Sequence, residues 1–172
     1  MTLSAKAVKI TCLILDIDGV LTDGRVGYSA GDEIKFFHVR DGHGLKLAMR
    51  AGLKVGALSG RSAEANRKRA EELGFSFIYE DKKNKKEAFL ELLKEQGLKP
   101  EECLYMGDDV VDIPVMRQVG LAVTVADAPE MMGDYCDIRT KLPGGGGAVR
   151  ELVEWLLKEQ GKWDELMKRY VS

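Results

Sequence analysis

The sequence predicts a doubly wound α/β fold of the Rossmann-like kind, built on a mostly parallel sheet. Three features predict it. Short β-branched and apolar runs recur along the chain, amphipathic helical patterns separate them, and acids, glycines or serine follow their C-terminal ends. Strands joined through helices need crossover connections, which are right-handed and leave neighbouring strands parallel.

The first strand is expected at Val8 to Leu15, a run bounded by Asp16-Ile17-Asp18-Gly19 and apolar enough to be buried on both faces. Further strands are expected at Leu53 to Leu58, Phe75 to Tyr79, Cys103 to Met106 and Leu121 to Val125, with a short sixth at Tyr135 to Ile138. Helices fill the gaps. Leu45 to Arg50 stops at Ala51-Gly52, and Ser62 N-caps a helix that runs to Leu73 with Gly74 just beyond it. Asn84 to Gln96 ends at Gly97, and Pro114 and Pro129 sit where the first turns of two more helices belong. Ala148 to Glu159 carries Val149, Leu152, Val153, Leu156 and Leu157 at helical spacing.

Two segments break this rhythm. Gly19 to Gly44 is far longer than the roughly 2–6 residues of an ordinary βα loop. Within it, Arg25 to Ser29 and Glu33 to Val39 flank Ala30-Gly31-Asp32, a hairpin insertion over about 25–39. An isolated ribbon with apolar residues on both faces is marginal in water, so it must pack on its own domain or on other copies, and the second is favoured. The other segment is the tail after Gly161, where Trp163, Leu166, Met167 and Tyr170 suggest a last helix.

Composition narrows the partners. The 172 residues suit one domain spanning 1–172, and 45% hydrophobic with 31% charged residues excludes disorder. A net charge of −2 gives no reason to expect nucleic acid or an anionic membrane. The N-terminus lacks the pattern of a signal peptide and no apolar run could span a bilayer, so a cytoplasmic protein is expected. Cys12, Cys103 and Cys136 lack metal-site spacing and read as reduced thiols.

Ligands of open parallel sheets bind beyond the carboxyl ends of the strands. Those ends carry Asp16 and Asp18, then Ser59-Gly60-Arg61, then Lys85 early in a helix, then Gly107-Asp108-Asp109 with Asp112 beyond. Oxygen donors from Asp16, Asp18 and Asp108 suit Mg²⁺, a hard ion that partners with phosphate. Without a cation such acids repel: two unit charges about 4 Å apart cost on the order of 4 kcal/mol at an effective dielectric near 20. Asp16 and Asp18, two residues apart, can face one reacting group, one as nucleophile and the other as general acid and base. Ser59 can bind phosphoryl oxygens, and Lys85 supplies fixed positive charge. Asp109 and Asp112 are equally readable as caps of the following helix. His38 on the hairpin and His43 between two glycines are weaker candidates, and the glycine run at Gly144 to Gly147 is a poor nucleotide fingerprint.

Asp16-Ile17-Asp18-Gly19-Val20-Leu21-Thr22-Asp23-Gly24, Leu58-Ser59-Gly60-Arg61, Asn84-Lys85 and Gly107-Asp108-Asp109 resemble the four motifs of the haloacid dehalogenase superfamily of phosphatases. With Val39-Arg40-Asp41-Gly42-His43-Gly44, Val115-Met116 and Gly147-Ala148-Val149-Arg150-Glu151, the chain is similar to the subfamily acting on 3-deoxy-D-manno-octulosonate (KDO) 8-phosphate in lipopolysaccharide precursor synthesis. Close relatives of that subfamily act on nine-carbon 2-keto acid 9-phosphates. The resemblance implies an aspartyl-phosphate at Asp16, Asp18 as acid and base, and Mg²⁺ on the Asp16 carboxylate, the Asp18 carbonyl and Asp108. It further implies that Ser59, Gly60, Arg61 and Lys85 bind substrate, Arg61 its acidic end, while Asp109 and Asp112 support the metal shell and the lysine. It implies no cap domain and a homotetramer assembled through the hairpin. The chain departs from the pattern at Gly146, an arginine in relatives, near the tail that would cover a neighbouring site. Two other classes stay open: a receiver-type phosphoacceptor domain, which lacks the second Asp followed by Gly, and a catalytically silent scaffold.

Overall fold

In the computed structural model, which describes residues 2–29, 31 and 33–171, six parallel strands form one sheet. These are β1 (Cys12–Leu15), β4 (Lys54–Leu58), β5 (Phe77–Tyr79), β6 (Cys103–Gly107), β7 (Leu121–Thr124) and β8 (Ile138–Arg139), in the order β5-β4-β1-β6-β7-β8. A separate antiparallel ribbon of β2 (Gly27–Tyr28) and β3 (Glu33–Ile34) pairs Gly27 with Ile34 and Tyr28 with Glu33. The helices are α1 (Leu3–Ala7), α2 (Val39–Arg50), α3 (Glu64–Leu73), α4 (Lys85–Gln96), α5 (Ile113–Met116), α6 (Ala148–Glu159) and α7 (Trp163–Val171). Helix α2 packs on α3 and α6, and α4 on α5.

The chain leaves β1 toward β4 on one side and later returns to β6 on the other. The switch point therefore falls between β1 and β6, whose residues pair from Cys12 with Cys103 to Leu15 with Met106. All four β1 side chains are buried, as a central strand covered on both faces requires.

The N-terminal run departs from expectation. Val8 is exposed, and Leu3 to Ala7 form a helical turn capped by Thr2, whose hydroxyl accepts from Ala5 N at 3.3 Å. Sheet pairing starts only where Thr11 N bonds Glu102 O, so the β-branched stretch is divided between a turn and a strand. Helix α2 begins at Val39 rather than Leu45, taking in Gly42 and Gly44. A Cβ on Gly42 would stand 2.3 Å from Arg69 Nη2, so this glycine admits a neighbouring helix rather than breaking its own. Helix α3 starts at Glu64, not at a Ser62 cap: Glu80 Oε1 caps it from below by accepting from Ala63 N at 3.1 Å, and Ser62 Oγ accepts from Arg67. Near the far edge, Glu130–Tyr135 is a short helical turn, which moves the last strand on to Ile138.

Asn84 caps α4 by accepting from Glu87 N at 3.3 Å, and Gly74 and Gly97 terminate α3 and α4 in the left-handed conformation, as expected. The expected hairpin turn includes Ala30 and Asp32, which lie outside the described residues. The tail docks on its own chain: Trp163, Leu166 and Met167 pack on the core, and Arg50 donates to the Tyr170 hydroxyl at 2.6 Å.

Candidate active site

Asp16 follows β1 directly and Asp108 follows the adjacent β6, which sets both carboxylates at the switch point. Asp16 is buried, and its Oδ1 accepts from Ile17 N at 2.8 Å. The chain then coils tightly over Ile17–Leu21, closed by a bond from Thr22 N to Ile17 O at 3.0 Å. Gly19 permits this coil with φ at +88°, and its missing Cβ leaves room for Asp108, whose Oδ2 would otherwise be 2.0 Å away. The Thr22 hydroxyl accepts from Gly24 N at 3.2 Å and donates to Ile17 O at 3.3 Å, which fixes the loop that carries Asp18.

The glycine run at 144–147 has a structural use that sequence reasoning missed. Gly145 N donates to Val20 O at 2.9 Å, and a Cβ on Gly144 would lie 1.7 Å from Gly19 O. The run is a strap laid backbone to backbone against the Asp18 loop. Asp41 anchors the strap's far end, accepting from Gly147 N at 3.2 Å and Arg150 N at 2.7 Å.

Lys85 opens α4 and is nearly buried. Its ammonium lies 2.8 Å from Asp16 Oδ2 and 2.6 Å from Asp112 Oδ1, and donates to the Tyr105 hydroxyl at 3.3 Å. Burial alone would lower the Lys85 ammonium, but Asp16 and Asp112 outweigh it and hold it above its ordinary value. Asp112 is fully buried and saturated. Tyr105 donates to its Oδ1 at 2.6 Å beside Lys85, and Asp108 N and Asp109 N donate to its Oδ2 at 3.0 and 3.2 Å. Asp109 is exposed and accepts from Val110 N at 2.7 Å, a capping role.

The electrostatics of the cluster call for a cation. Carboxylate oxygens of Asp16, Asp108 and Asp112 lie within 4.8 Å of one another. Burial, opposed by Lys85, pushes Asp16 up to about 7. Burial and the charges of Asp16 and Asp112 push Asp108 to about 7 as well. With Asp112 already satisfied by its four donors, Asp16 and Asp108 are the carboxylates with acceptor capacity left for an ion. A hard divalent cation fits this all-oxygen set.

A cleft of about 300 Å³ opens above these groups, lined by Asp16, Asp18, Ser59, Gly60, Arg61, Lys85, Asp108 and Asp109. The expected residues thus converge. Ser59 is buried, with its Oγ accepting from Arg61 N at 3.2 Å. The histidines lie elsewhere: His38 precedes α2 with Nδ1 3.7 Å from Asp41, and His43 packs edge-on against Tyr170. Two site residues escaped the sequence reading. Lys35, its side chain wholly buried, donates to Asp18 Oδ1 at 2.6 Å, and Glu33 pairs with Arg61. Their two-residue spacing puts both on one face of the β3 arm, but only the placed ribbon shows which way that face points.

Residues 41–120 match the family model of haloacid dehalogenase-like hydrolases. The 3-deoxy-D-manno-octulosonate 8-phosphate phosphatase of Escherichia coli (strain K12) is 44% identical over 162 residues, covering 94% of this chain and 86% of that protein. That of Haemophilus influenzae is 42% identical over 158 residues, covering 91% and 88%. The chain superposes on the crystal structure of the Moraxella catarrhalis enzyme in complex with magnesium ion, phosphate ion and KDO with a TM-score of 0.94, at 35% identity and 97% coverage of each chain. The chain belongs to this phosphatase family within the haloacid dehalogenase-like hydrolases.

Proposed function

We propose that the chain is a Mg²⁺-dependent phosphomonoesterase that hydrolyses KDO 8-phosphate to KDO and inorganic phosphate, in lipopolysaccharide precursor synthesis. The observation that carries this reading is the buried Asp16–Lys85–Asp112 chain at the mouth of β1, with the Asp108 carboxylate beside it. Asp16 attacks phosphorus, forming a carboxyl–phosphorus bond as the ester P–O bond breaks. Asp18 gives its proton to the departing sugar oxygen. It then takes one from the water that attacks phosphorus, which frees phosphate and restores Asp16. Lys35 occupies Asp18 Oδ1, and Oδ2, which has no hydrogen-bond partner among the described residues, is left to carry the proton.

Ser59 and the Gly60 backbone cradle phosphoryl oxygens, and Lys85 balances the charge that grows on them. Asp16, Asp108 and the Asp18 carbonyl would hold Mg²⁺. When bound, the ion neutralises the acids and lets a dianionic ester approach a carboxylate. Asp112 positions Lys85, Asp109 supports the metal-side turn, and Arg61 at the rim receives the sugar's acidic end.

Residues 1–172 act as one domain in the cytoplasm, and copies assemble into a homotetramer through the ribbon. Supporting the assembly, Tyr28 and Phe36 on the ribbon are both 77% exposed, with Val39 beside them. No helix among the described residues is long and apolar enough to cross a membrane. Phosphate release from a panel of sugar phosphates tests the reading. KDO 8-phosphate should lead nine-carbon 2-keto acid 9-phosphates, with release dependent on Mg²⁺; metal-independent release, or none from either acid, would contradict it.

A further inference from the structure

The ribbon does more than present an apolar outer face. Its β3 arm meets two residues that line the cleft of its own chain, Arg61 and Asp18, and the side chains it sends to them are charged. Glu33 pairs with the Arg61 guanidinium at the rim, and its Oε2 lies 3.8 Å from Lys35 Nζ. Lys35 in turn holds Asp18, and Arg61 Nε stands 3.8 Å from Asp18 Oδ2. The four groups form a quartet of two cations and two acids. Its members differ in exposure. Lys35 is sealed from solvent, whereas the side chains of Arg61 and Glu33 are 48% and 20% exposed. The Arg61 guanidinium, at the rim, can therefore change partners without opening the interior.

A guanidinium prefers a carboxylate presented along its planar edge, and here the chain itself supplies that carboxylate. We propose that Glu33 is a built-in stand-in for the carboxylate of the substrate, holding Arg61 until an acid-bearing phosphate ester displaces it. The proposal rests on the phosphomonoesterase reading and adds a specificity-determining residue to it. On displacement, Arg61 keeps a carboxylate partner, and Glu33 retains Lys35 as its own. A sugar phosphate without an acid leaves Glu33 in place and gains nothing from Arg61. The competition also weakens the hold on the product, which keeps its carboxylate after the phosphoryl group has gone. Glu33 thus tempers the hold on acid-bearing ligands and promotes release of the sugar acid, because both depend on who occupies one guanidinium.

The test uses the full-length protein with Mg²⁺ and two substrates, KDO 8-phosphate and arabinose 5-phosphate, the second lacking a carboxylate. Glu33→Gln keeps the shape and removes the charge. The expected result is a fall in KM for KDO 8-phosphate of roughly two- to five-fold relative to arabinose 5-phosphate, the range that a partly exposed ion pair commands. Inhibition by free KDO should tighten by a similar factor. In an Arg61→Met background the same change should have no acid-selective effect. An equal effect on both substrates, a higher KM for the acid, or an effect that survives Arg61→Met overturns the proposal. Glu33→Asp, which keeps the charge but shortens the reach, gives the same comparison if Gln disturbs folding. Wild-type protein that releases phosphate from neither substrate refutes the phosphatase reading instead, so the two failures are distinct.

Discussion

Lys85 sits between Asp16 and Asp112 with its ammonium almost out of solvent. Removing a buried ion's only counter-charge is costly, because the stranded partner must be solvated by an interior that cannot do it. Lys85→Met strands two acids at once, and a loss of about 3–5 kcal/mol in unfolding free energy is expected, read by denaturant titration. Asp16→Ala should behave in the opposite way. It removes one member of a repelling set, so the fold should persist by circular dichroism while turnover falls by at least about 10³-fold, as for loss of a nucleophile. Retained turnover in Asp16→Ala would remove Asp16 from the chemistry. Most residues that line the candidate cleft were legible in the sequence because each follows a strand or opens a helix. Lys35 was not, because it follows a ribbon strand whose inward face cannot be known until the ribbon is placed.

The helices and strands that frame the site were largely legible from periodicity and stop signals, and the departures share a cause. Val8 to Ile10 have strand-like residues but lack a partner until Thr11 meets Glu102, so tertiary pairing decides where β1 begins. Gly42 and Gly44 look like breakers but are packing residues. The glycine strap is a third instance: composition shows flexibility, whereas its use is close approach. Gly144→Ala would drive a methyl into the Gly19 carbonyl and displace the loop bearing Asp18. A loss of about 1–3 kcal/mol is expected from such overpacking, with kcat falling further than stability alone explains. Gly144→Ala with wild-type kcat would show that the strap does not position the loop.

Across the molecule, the acids at the switch point couple metal, pH and stability. Asp16 and Asp108 are both raised to about 7 in the folded chain, whereas an unfolded aspartate titrates near 4. Between those values the folded state binds more protons than the unfolded one. Their contribution is therefore full below about pH 4 and is lost as pH rises through about 7. With the metal chelated, Tm should fall between pH 5 and 7.5 and be restored by Mg²⁺ at the upper end. Asp108→Asn should flatten that slope; a Tm that climbs with pH and ignores Mg²⁺ would contradict the assignment of the cluster. The assembly is tested by sedimentation, where the intact chain should run as a tetramer and a chain lacking residues 25–35 as a smaller species. Apolar Ile34, Phe36 and Phe37 motivated that expectation in the sequence, and exposed Tyr28 and Phe36 support it in the fold, but charge on the ribbon's inner face became visible only in three dimensions.

The covalent step itself admits a direct measurement. Protein quenched during turnover of KDO 8-phosphate and reduced with borohydride converts any acyl phosphate to the corresponding alcohol, which peptide mass spectrometry locates. Homoserine at position 16 is expected, and it should be absent without substrate. An unmodified Asp16 with homoserine at another aspartate, or phosphate released with no trapped acyl group under conditions that trap other acyl phosphates, would contradict nucleophilic attack by Asp16.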